Sequence, residues 1–220
     1  MEFNQLESSV REAARRGELC KLLEASETNP QLQSCILRLA TTKDSDGRTL
    51  LYDAVVGGNI GDCERVLGMR DESGSTASDV NMRDGGGWSP LMSACSSNKA
   101  DVVVWLLGSG AKMDDKHRDV FYAASKGDAR LMEVVVNAAG LDDVTRLRIR
   151  GSTLLHRAVG AGNVEVVEWL VARMREQGKD VRVNVEEVKS GADETVMDVL
   201  RESWDGDERT KLERALGLGS

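Results

Sequence analysis

The stretch Gly151-Ser-Thr-Leu-Leu-His-Arg-Ala-Val-Gly-Ala-Gly-Asn-Val-Glu-Val-Val-Glu-Trp-Leu-Val171 holds two short apolar runs separated by a glycine-rich break. Thr153 precedes the first run, where its hydroxyl can cap a helix by accepting a hydrogen bond from an unpaired backbone N–H. Gly162 follows Ala158 by four residues and can adopt the left-handed conformation that ends a helix. In the second run, apolar residues recur at the spacing of one helix face. The stretch therefore predicts a turn, a short helix, a tight connection and a second helix.

The same pattern recurs along the chain. An alanine is followed four residues later by glycine or asparagine at Ala13/Gly17, Ala54/Gly58, Ala94/Asn98, Ala123/Gly127 and Ala158/Gly162. After the last four pairs, apolar residues return at plus four, five, eight and nine, and only Asp62 interrupts them. Neither helix of such a unit can bury its apolar face alone, so neighbouring units must stack. The sequence predicts an all-α solenoid of helix pairs.

A turn signal precedes the alanine in three units. Its shared features are a glycine, which tolerates positive φ, and a hydroxyl residue two positions later, at Gly47/Thr49, Gly87/Ser89 and Gly151/Thr153. We expect the hydroxyls to be N-caps and Pro90 to occupy the first helical position, where its missing N–H does no harm. In the fourth unit, residues 114–118 replace the glycine turn within a shortened interval, and Asp119 is expected to cap the helix.

We predict one domain, residues 1–220, made of about six units. Their approximate bounds are 1–43 (N-terminal cap), 44–79, 80–113, 114–148, 149–184 and 185–220 (C-terminal cap). The outer units are more polar, as a solenoid needs in order to stay soluble. Residues 68–79 are expected to form an exposed loop and residues 172–182 to extend a second helix. Whether residues 26–43 form a further degenerate helix pair stays open at this point.

Charge and cysteine content limit the classes of partner. The net charge is −8 and the pI is near 5.0, so the electrostatic attraction that drives non-specific nucleic-acid binding is lacking. A basic protein surface is the expected complement to such a chain. The four cysteines lie far apart, without a CxxC motif or a neighbouring histidine pair, which indicates reduced thiols rather than disulfides or a zinc site. We expect no metal and no cofactor.

The N-terminus lacks the charged and apolar regions of a signal peptide, and no apolar run approaches the ~18 residues that span a bilayer. The sequence therefore predicts a soluble monomer in the cytoplasm, the nucleus or both, with no membrane partner.

Several of these elements resemble ankyrin repeats, namely Gly87-Trp-Ser-Pro-Leu91, Gly151-Ser-Thr-Leu-Leu-His156, Gly162-Asn-Val-Glu-Val-Val-Glu-Trp-Leu170 and the Val-Asn pairs at 80–81 and 183–184. The resemblance covers about residues 5–216. It implies a curved ankyrin-repeat stack with β-hairpin turns along one edge. It also implies that the concave face binds another protein and that the chain has no enzymatic activity.

The order of three motifs is similar to that of the gankyrin family: Gly87–Leu91, then Tyr122-Ala-Ala-Ser-Lys126, then His156-Arg-Ala158. This resemblance implies a proteasome regulatory-particle assembly chaperone that holds the C-terminal domain of an ATPase subunit. The chain departs from that family in having six units rather than seven, and in its long insertions. One alternative is a signalling or inhibitory adaptor that binds a kinase or a transcription factor. Another is a scaffold or host-directed effector.

Candidate partner-binding residues lie at turn tips and at the ends of first helices: Asp46, Arg48, Arg83, Asp84, Trp88, Asp115, His117, Lys126 and Arg150. His117 is expected to be exposed. Trp88 stands beside a turn glycine, so it is either an exposed interface anchor or a residue that packs on the next turn. Trp105 and Trp169 fall within second helices and are expected to be packing residues.

No motif predicts a catalytic residue. Ser89 lacks the second glycine of a nucleophile elbow, and its capping position already explains it. The run Gly85-Gly-Gly87 is not followed by Gly-Lys-Ser/Thr, so it is not a phosphate-binding loop. His156 follows a capping threonine, and its neutral imidazole is expected to form hydrogen bonds between adjacent turns.

Overall fold

The computed structural model describes residues 3–75 and 78–218, and helices dominate them. The chain divides into two compact units, Met1–Lys112 and Met113–Ser220. Among the described residues, each unit contains three helix pairs and one additional helix. No described helix combines the length and the apolar content needed to cross a membrane.

The helices of unit 1 are, in chain order, α1 (Phe3–Arg15), α2 (Leu19–Ser26), α3 (Pro30–Thr41), α4 (Leu50–Gly57), α5 (Ile60–Gly68), α6 (Pro90–Ser96) and α7 (Ala100–Gly108). The first helices of the pairs, α1, α4 and α6, pack on one another in sequence, and the second helices α2, α5 and α7 do the same. Each pair therefore buries its apolar faces against its neighbours, as the repeat pattern predicts.

The elements of unit 2 are α8 (Arg118–Lys126), α9 (Ala129–Ala138), β1 (Arg148–Ile149), β2 (Ser152–Thr153), α10 (Leu154–Gly160), α11 (Val164–Glu176), α12 (Val181–Glu186), α13 (Val196–Ser203) and α14 (Gly206–Ala215). The first helices α8, α10 and α13 pack in order, as do the second helices α9, α11 and α14. The two strands form an antiparallel hairpin in which Arg148 pairs with Thr153 and Ile149 with Ser152.

The core lies between the first and second helices. The alanines at 54, 94, 123 and 158 and the apolar ladders that follow them are buried in both units, apart from Leu67 and Leu107, which are half-buried. A fully buried leucine such as Leu106 or Leu170 contributes about 1.5–3 kcal/mol relative to an exposed one. Asp62 is the exception to the apolar pattern, and it is fully buried. Its carboxylate accepts hydrogen bonds from the backbone amides of Leu19 and Cys20 at 2.9 and 2.8 Å, which satisfies the start of α2.

The predicted left-handed glycine or asparagine is present at four of the five connections. The φ angle is +70° at Gly17, +85° at Gly58, +52° at Asn98 and +69° at Gly162. Gly127 is the exception, because its backbone is extended with φ −83°. A Cβ there would lie 2.6 Å from the Ala123 oxygen, so this position requires glycine for close approach rather than for positive φ.

The predicted caps are confirmed at Ser89 and Thr153, whose hydroxyls accept from the backbone N–H three residues ahead, and Pro90 begins α6. The capping bond predicted for Thr49 was wrong, although the residue holds the N-cap position before α4, because its hydroxyl donates to the Met82 Sδ at 3.5 Å instead. The prediction for Asp119 was also wrong. It lies inside α8, and its buried carboxylate accepts from the Asp114 amide at 2.8 Å.

The insertions contain structure that the sequence pattern does not specify. Residues 26–43 contain a single helix, α3, which packs on α1, α2 and α4. Residues 70–75 are exposed as predicted, but Ser78 is buried and donates to the Ala40 carbonyl at 2.7 Å. Helix α11 extends to Glu176 as predicted. Val183-Asn184 forms part of α12 rather than a repeat turn, because Asp180 caps a helix there.

Candidate functional site

One turn geometry recurs before α4, α6, α8 and α13. The side chain of the first residue accepts hydrogen bonds from the amides two and four residues ahead, and the residue three ahead has a positive φ. The four turns are Asp44–Arg48, Asp84–Trp88, Asp114–Arg118 and Ser190–Glu194. Asp84 and Asp114 are buried in these turns, so their carboxylates stabilise the turn backbone instead of projecting into solvent.

His117 occupies the position that glycine holds in the turns of unit 1. Its φ is +51°, against +78° at Gly47 and +75° at Gly87. The prediction that residues 114–118 replace the glycine turn was therefore wrong, because they form the same turn with histidine in the left-handed position. His117 is half-buried rather than exposed, and its Nδ1 has no hydrogen-bond partner among the described residues.

In unit 1, two consecutive turns are joined at their tips. The Gly85 amide donates to the Asp46 carbonyl at 2.7 Å, and the Arg48 Nε lies 2.7 Å from the Asp84 carboxylate. Burial acts to raise the pKa of Asp84, but hydrogen bonds from the amides of its own turn and from Arg48 outweigh it and lower that pKa. The Arg48 guanidinium also lies 5.8 Å from the centre of the Tyr52 ring. Arg48 and Asp84 thus bind each other, which leaves Asp46 as the exposed acid at this tip.

Arg83 and Trp88 flank the same turn. Arg83 is exposed, and its Nη1 donates to the Gly87 carbonyl at 2.9 Å. Trp88 is half-buried, its amide donates to Asp84, and its carbonyl accepts from the Tyr52 hydroxyl at 2.9 Å. The backbone of Trp88 is therefore part of the turn. The role of its indole as an interface anchor stays a prediction.

In unit 2, the β1–β2 hairpin approaches the turn at residues 190–194. His156 Nε2 lies 3.0 Å from the Glu194 carbonyl, and its Nδ1 lies 2.8 Å from the Thr153 hydroxyl. Because a carbonyl can only accept, Nε2 carries the proton and Nδ1 accepts. Burial lowers the pKa of His156, which favours the neutral ring. The predicted structural role of His156 between adjacent turns is confirmed.

A groove of about 620 Å³ runs over the first helices and turns of unit 2. Its lining comes from α8, the β1–β2 hairpin, α10, the 190–194 turn and α13: Arg118, Phe121, Tyr122, Ser125, Lys126, Ile149, Arg150, Ser152, His156, Arg157, Gly160, Ala161, Ser190, Glu194 and Val199. The structure thus brings Lys126 and Arg150 together in one groove. Asp115, which is exposed, and His117 do not line it.

Two further cations in the groove were missed by the sequence analysis. Arg118 binds Asp114 through Nε and Nη2, each at 3.0 Å, and the Arg157 Nε donates to the Ser125 hydroxyl at 2.5 Å. Burial alone would raise the pKa of Asp114, but hydrogen bonds from the Arg118 side chain and from turn amides hold it at about 2. The position of Arg118, four residues after a turn aspartate, is the signal that could have indicated this pair.

The described residues contain no group of three or more His, Cys, Asp or Glu side chains that could hold a metal ion. None of the four cysteines forms a disulfide within the part of the chain that the structure describes. Burial raises the pKa of Cys63 to about 12, so its thiol is unreactive near neutral pH.

Comparison with models of protein families identifies the family of this chain. A model of three ankyrin repeats matches residues 10–117, and a single ankyrin repeat model matches residues 150–182. Together these matches span well over half of the sequence. The chain belongs to the ankyrin-repeat family. The predicted fold class, an all-α ankyrin-repeat solenoid, is therefore confirmed, and the family indicates a module that binds another protein.

Two curated relatives share part of this ankyrin-repeat region. Human protein phosphatase 1 regulatory subunit 27 is 35% identical over 81 residues, which are 37% of this chain and 47% of the relative. The mouse protein of the same name is 33% identical over 73 residues, which are 33% of this chain and 43% of the relative. The chain thus spans less than half the length of either relative.

Solved structures show the same fold at low identity. A chain in the complex of the Bd0816 predatory endopeptidase from Bdellovibrio bacteriovorus with the immunity protein Bd3460 has a TM-score of 0.61 at 21% identity. That match covers 93% of this chain and 96% of the other. The human ASB11 ankyrin repeat domain has a TM-score of 0.58 at 22% identity, covering 95% and 96%. These likenesses establish the fold alone.

Proposed function

We propose that this ankyrin-repeat chain is a non-catalytic regulatory adaptor that binds another protein through the first helices and turns of its units. The observation that carries the proposal is the groove of unit 2. It collects charged side chains from the first helices α8 and α10, from the β1–β2 hairpin and from the 190–194 turn. Such a surface offers several contacts to a polypeptide at once, as interfaces require.

The chemistry of the groove favours binding over catalysis. Both ring nitrogens of His156 are engaged by protein groups, so no base is available there. The Ser125 hydroxyl donates to the Phe121 carbonyl at 2.9 Å and accepts from Arg157. A serine held in this way is not activated as a nucleophile, because a neighbouring guanidinium cannot take its proton.

The regulatory part of the proposal is supported by the relatives, which are named as regulatory subunits of a phosphatase. By analogy, the client of this chain is a signalling enzyme whose activity or location changes when the adaptor binds. The absence of disulfides among the described cysteines is consistent with a reducing compartment, and we place the adaptor in the cytoplasm or nucleus.

The order of motifs supports a second, narrower candidate, a chaperone that holds the C-terminal domain of a proteasomal ATPase. Gly87–Leu91, Tyr122–Lys126 and His156–Ala158 occur in the order typical of that family. In the structure, the second and third of these segments both contribute to the groove of unit 2. Identification of the client separates the two candidates, since one predicts a signalling enzyme and the other a regulatory-particle ATPase.

Lysine cross-linking with mass spectrometry tests the proposed surface and identifies the client in one experiment. Lys43, Lys116, Lys126 and Lys189 are exposed on turns or first helices, whereas Lys21 and Lys211 are exposed on second helices. Intact tagged protein, cross-linked in extract from its own cells, should join a client through the first group. Client cross-links confined to Lys21 and Lys211 would place binding on the second helices and contradict the proposal.

A further inference from the structure

We propose that the groove of unit 2 binds a short acidic segment of its client, with an apolar side chain placed between carboxylates. This inference rests on the proposed protein-binding function and gives that function a partner chemistry. It runs opposite to the expectation from the net charge of −8, which suggests a basic partner.

The charges that line the groove are mostly positive. Arg118, Lys126, Arg150 and Arg157 contribute four cations, against a single lining carboxylate, Glu194. If Asp114, which binds Arg118 from beneath, is also counted, an excess of two positive charges remains. The acidic surplus of the chain therefore lies elsewhere, and this groove is a local site of opposite sign.

Two of the four cations are available to a ligand. Lys126 and Arg150 are exposed, and neither side chain has a hydrogen-bond or ion-pair partner within residues 3–75 and 78–218, whereas Arg118 binds Asp114 and Arg157 binds Ser125. They come from different elements, Lys126 from the end of α8 and Arg150 from the tip of the β1–β2 hairpin. The φ of +51° at Arg150 belongs to this two-residue turn, which fixes its backbone at the rim of the groove.

The floor between the charges is partly apolar. Phe121 is 7% exposed, and Tyr122, Ile149 and Val199 are half-buried where they line the groove. An apolar side chain seated here would remove apolar surface from water, worth about 25 cal/mol per Å². A ligand that combines carboxylates with one apolar side chain matches both properties of the groove.

The size and charge of the surroundings select a short peptide. A volume of about 620 Å³ holds a few side chains but not a folded domain. A long polyanion such as RNA would extend beyond the groove onto a chain of net charge −8, where repulsion opposes it. An acidic peptide segment meets only the local positive excess.

Fluorescence anisotropy with a defined peptide tests the proposal. The probe is a fluorescein-labelled dodecapeptide of alternating glutamate and serine with a central leucine pair, and the comparison peptide has lysine in place of glutamate. The double variant Lys126→Glu/Arg150→Glu should bind the acidic probe at least about tenfold more weakly than the native chain, since two attractive contacts become repulsive. The matched control Lys211→Glu/Arg214→Glu reverses the same number of exposed charges on α14 and should retain binding.

The possible outcomes distinguish failure of the acidic-ligand proposal from failure of the proposed adaptor function. Equal binding of the acidic and lysine peptides, or equal losses in the two double variants, overturns the acidic-ligand proposal. Competition by free glutamate or inorganic phosphate as strong as that by the peptide would indicate a small-anion site and would overturn it too. Client cross-links to turn and first-helix lysines, in a protein that fails the peptide test, would leave the adaptor function standing.

Discussion

Arg48 and Asp84 join two consecutive turns through a contact of 2.7 Å between Nε and Oδ2, yet the two side chains are very unequally buried. Only 2% of the Asp84 side chain is exposed, against 45% of Arg48. Asp84 also accepts the amides of Gly86 and Trp88, both at 2.9 Å. The carboxylate therefore organises its own turn, whereas the guanidinium adds a partly solvated contact to the neighbouring one.

For this reason, replacing Asp84 and replacing Arg48 should lower the free energy of unfolding by different amounts. Asp84→Ala leaves two turn amides without their acceptor and should lower the free energy of unfolding by about 2–3 kcal/mol. Arg48→Ala removes a half-exposed ion pair and should cost less than about 1 kcal/mol. Urea denaturation of the two variants measures the difference. Equal losses would show that the ion pair, rather than the turn, carries the stability.

His156 should make stability depend on pH in the mildly acidic range. Burial lowers its pKa in the folded state, so the unfolded chain binds the proton more readily. The stabilisation is therefore complete above the unfolded pKa of about 6.5 and is lost as the pH falls below it. We expect the urea midpoint to fall between neutral and mildly acidic pH in the native chain, and to fall less in His156→Gln. A midpoint that falls equally in the two proteins would contradict the assignment to His156.

The repeat pattern predicts the helix pairs because apolar periodicity and capping are local properties of the sequence. The alanine-plus-glycine connection and the apolar ladder identify the four pairs from α4 to α11, and the terminal pairs follow from weaker versions of the same signals. Helices α3 and α12 were not predicted, since each lies in an insertion without the repeat pattern. Their helical state depends on tertiary packing, α3 against α1 and α4, and α12 against α11 and α13.

The candidate site was only partly predictable for a different reason. The sequence shows which charged residues lie near predicted turns. It does not show which of their side chains bind the backbone of their own turn. Asp84 and Asp114 bind backbone amides within theirs, whereas Lys126 and Arg150 come together in a groove from elements 24 residues apart in sequence. An aspartate begins each of the five-residue turns Asp44–Arg48, Asp84–Trp88 and Asp114–Arg118. This shared first position is the local signal that could have identified the turn aspartates.

Asp114 should contribute to the acid sensitivity of unit 2. Burial opposes its ionisation, but Arg118 and the turn amides hold its folded pKa at about 2, below the unfolded value of about 3.9. Its contribution is therefore present above about pH 4 and lost as the pH falls towards 2. Asp114→Asn should be less stable at neutral pH and should lose less stability across that acidic window. Urea unfolding at several pH values measures both slopes. A parallel loss in the two proteins would contradict the assignment.

The close approach of Gly151 and Gly191 provides the most direct test of contact between adjacent turns. A Cβ on Gly151 would lie 2.2 Å from the Gly191 nitrogen, and Gly151 also has a φ of +83°. Gly178 has a similar φ of +66°, but no atom lies within 4 Å of the position that a Cβ would take there. Gly178→Ala should therefore cost only the left-handed strain of about 1–2 kcal/mol, and Gly151→Ala should cost at least about 1 kcal/mol more.

The third variant separates backbone strain from crowding. Gly191 does not have a positive φ, but its Cβ would lie 2.1 Å from the Arg150 carbonyl oxygen. If turn-to-turn contact is what excludes a side chain, Gly191→Ala should lower the urea midpoint more than Gly178→Ala does, despite its ordinary φ. If Gly191→Ala instead unfolds at the native midpoint, the two turns can separate without cost. The hairpin that carries Arg150 would then not be held against its neighbour.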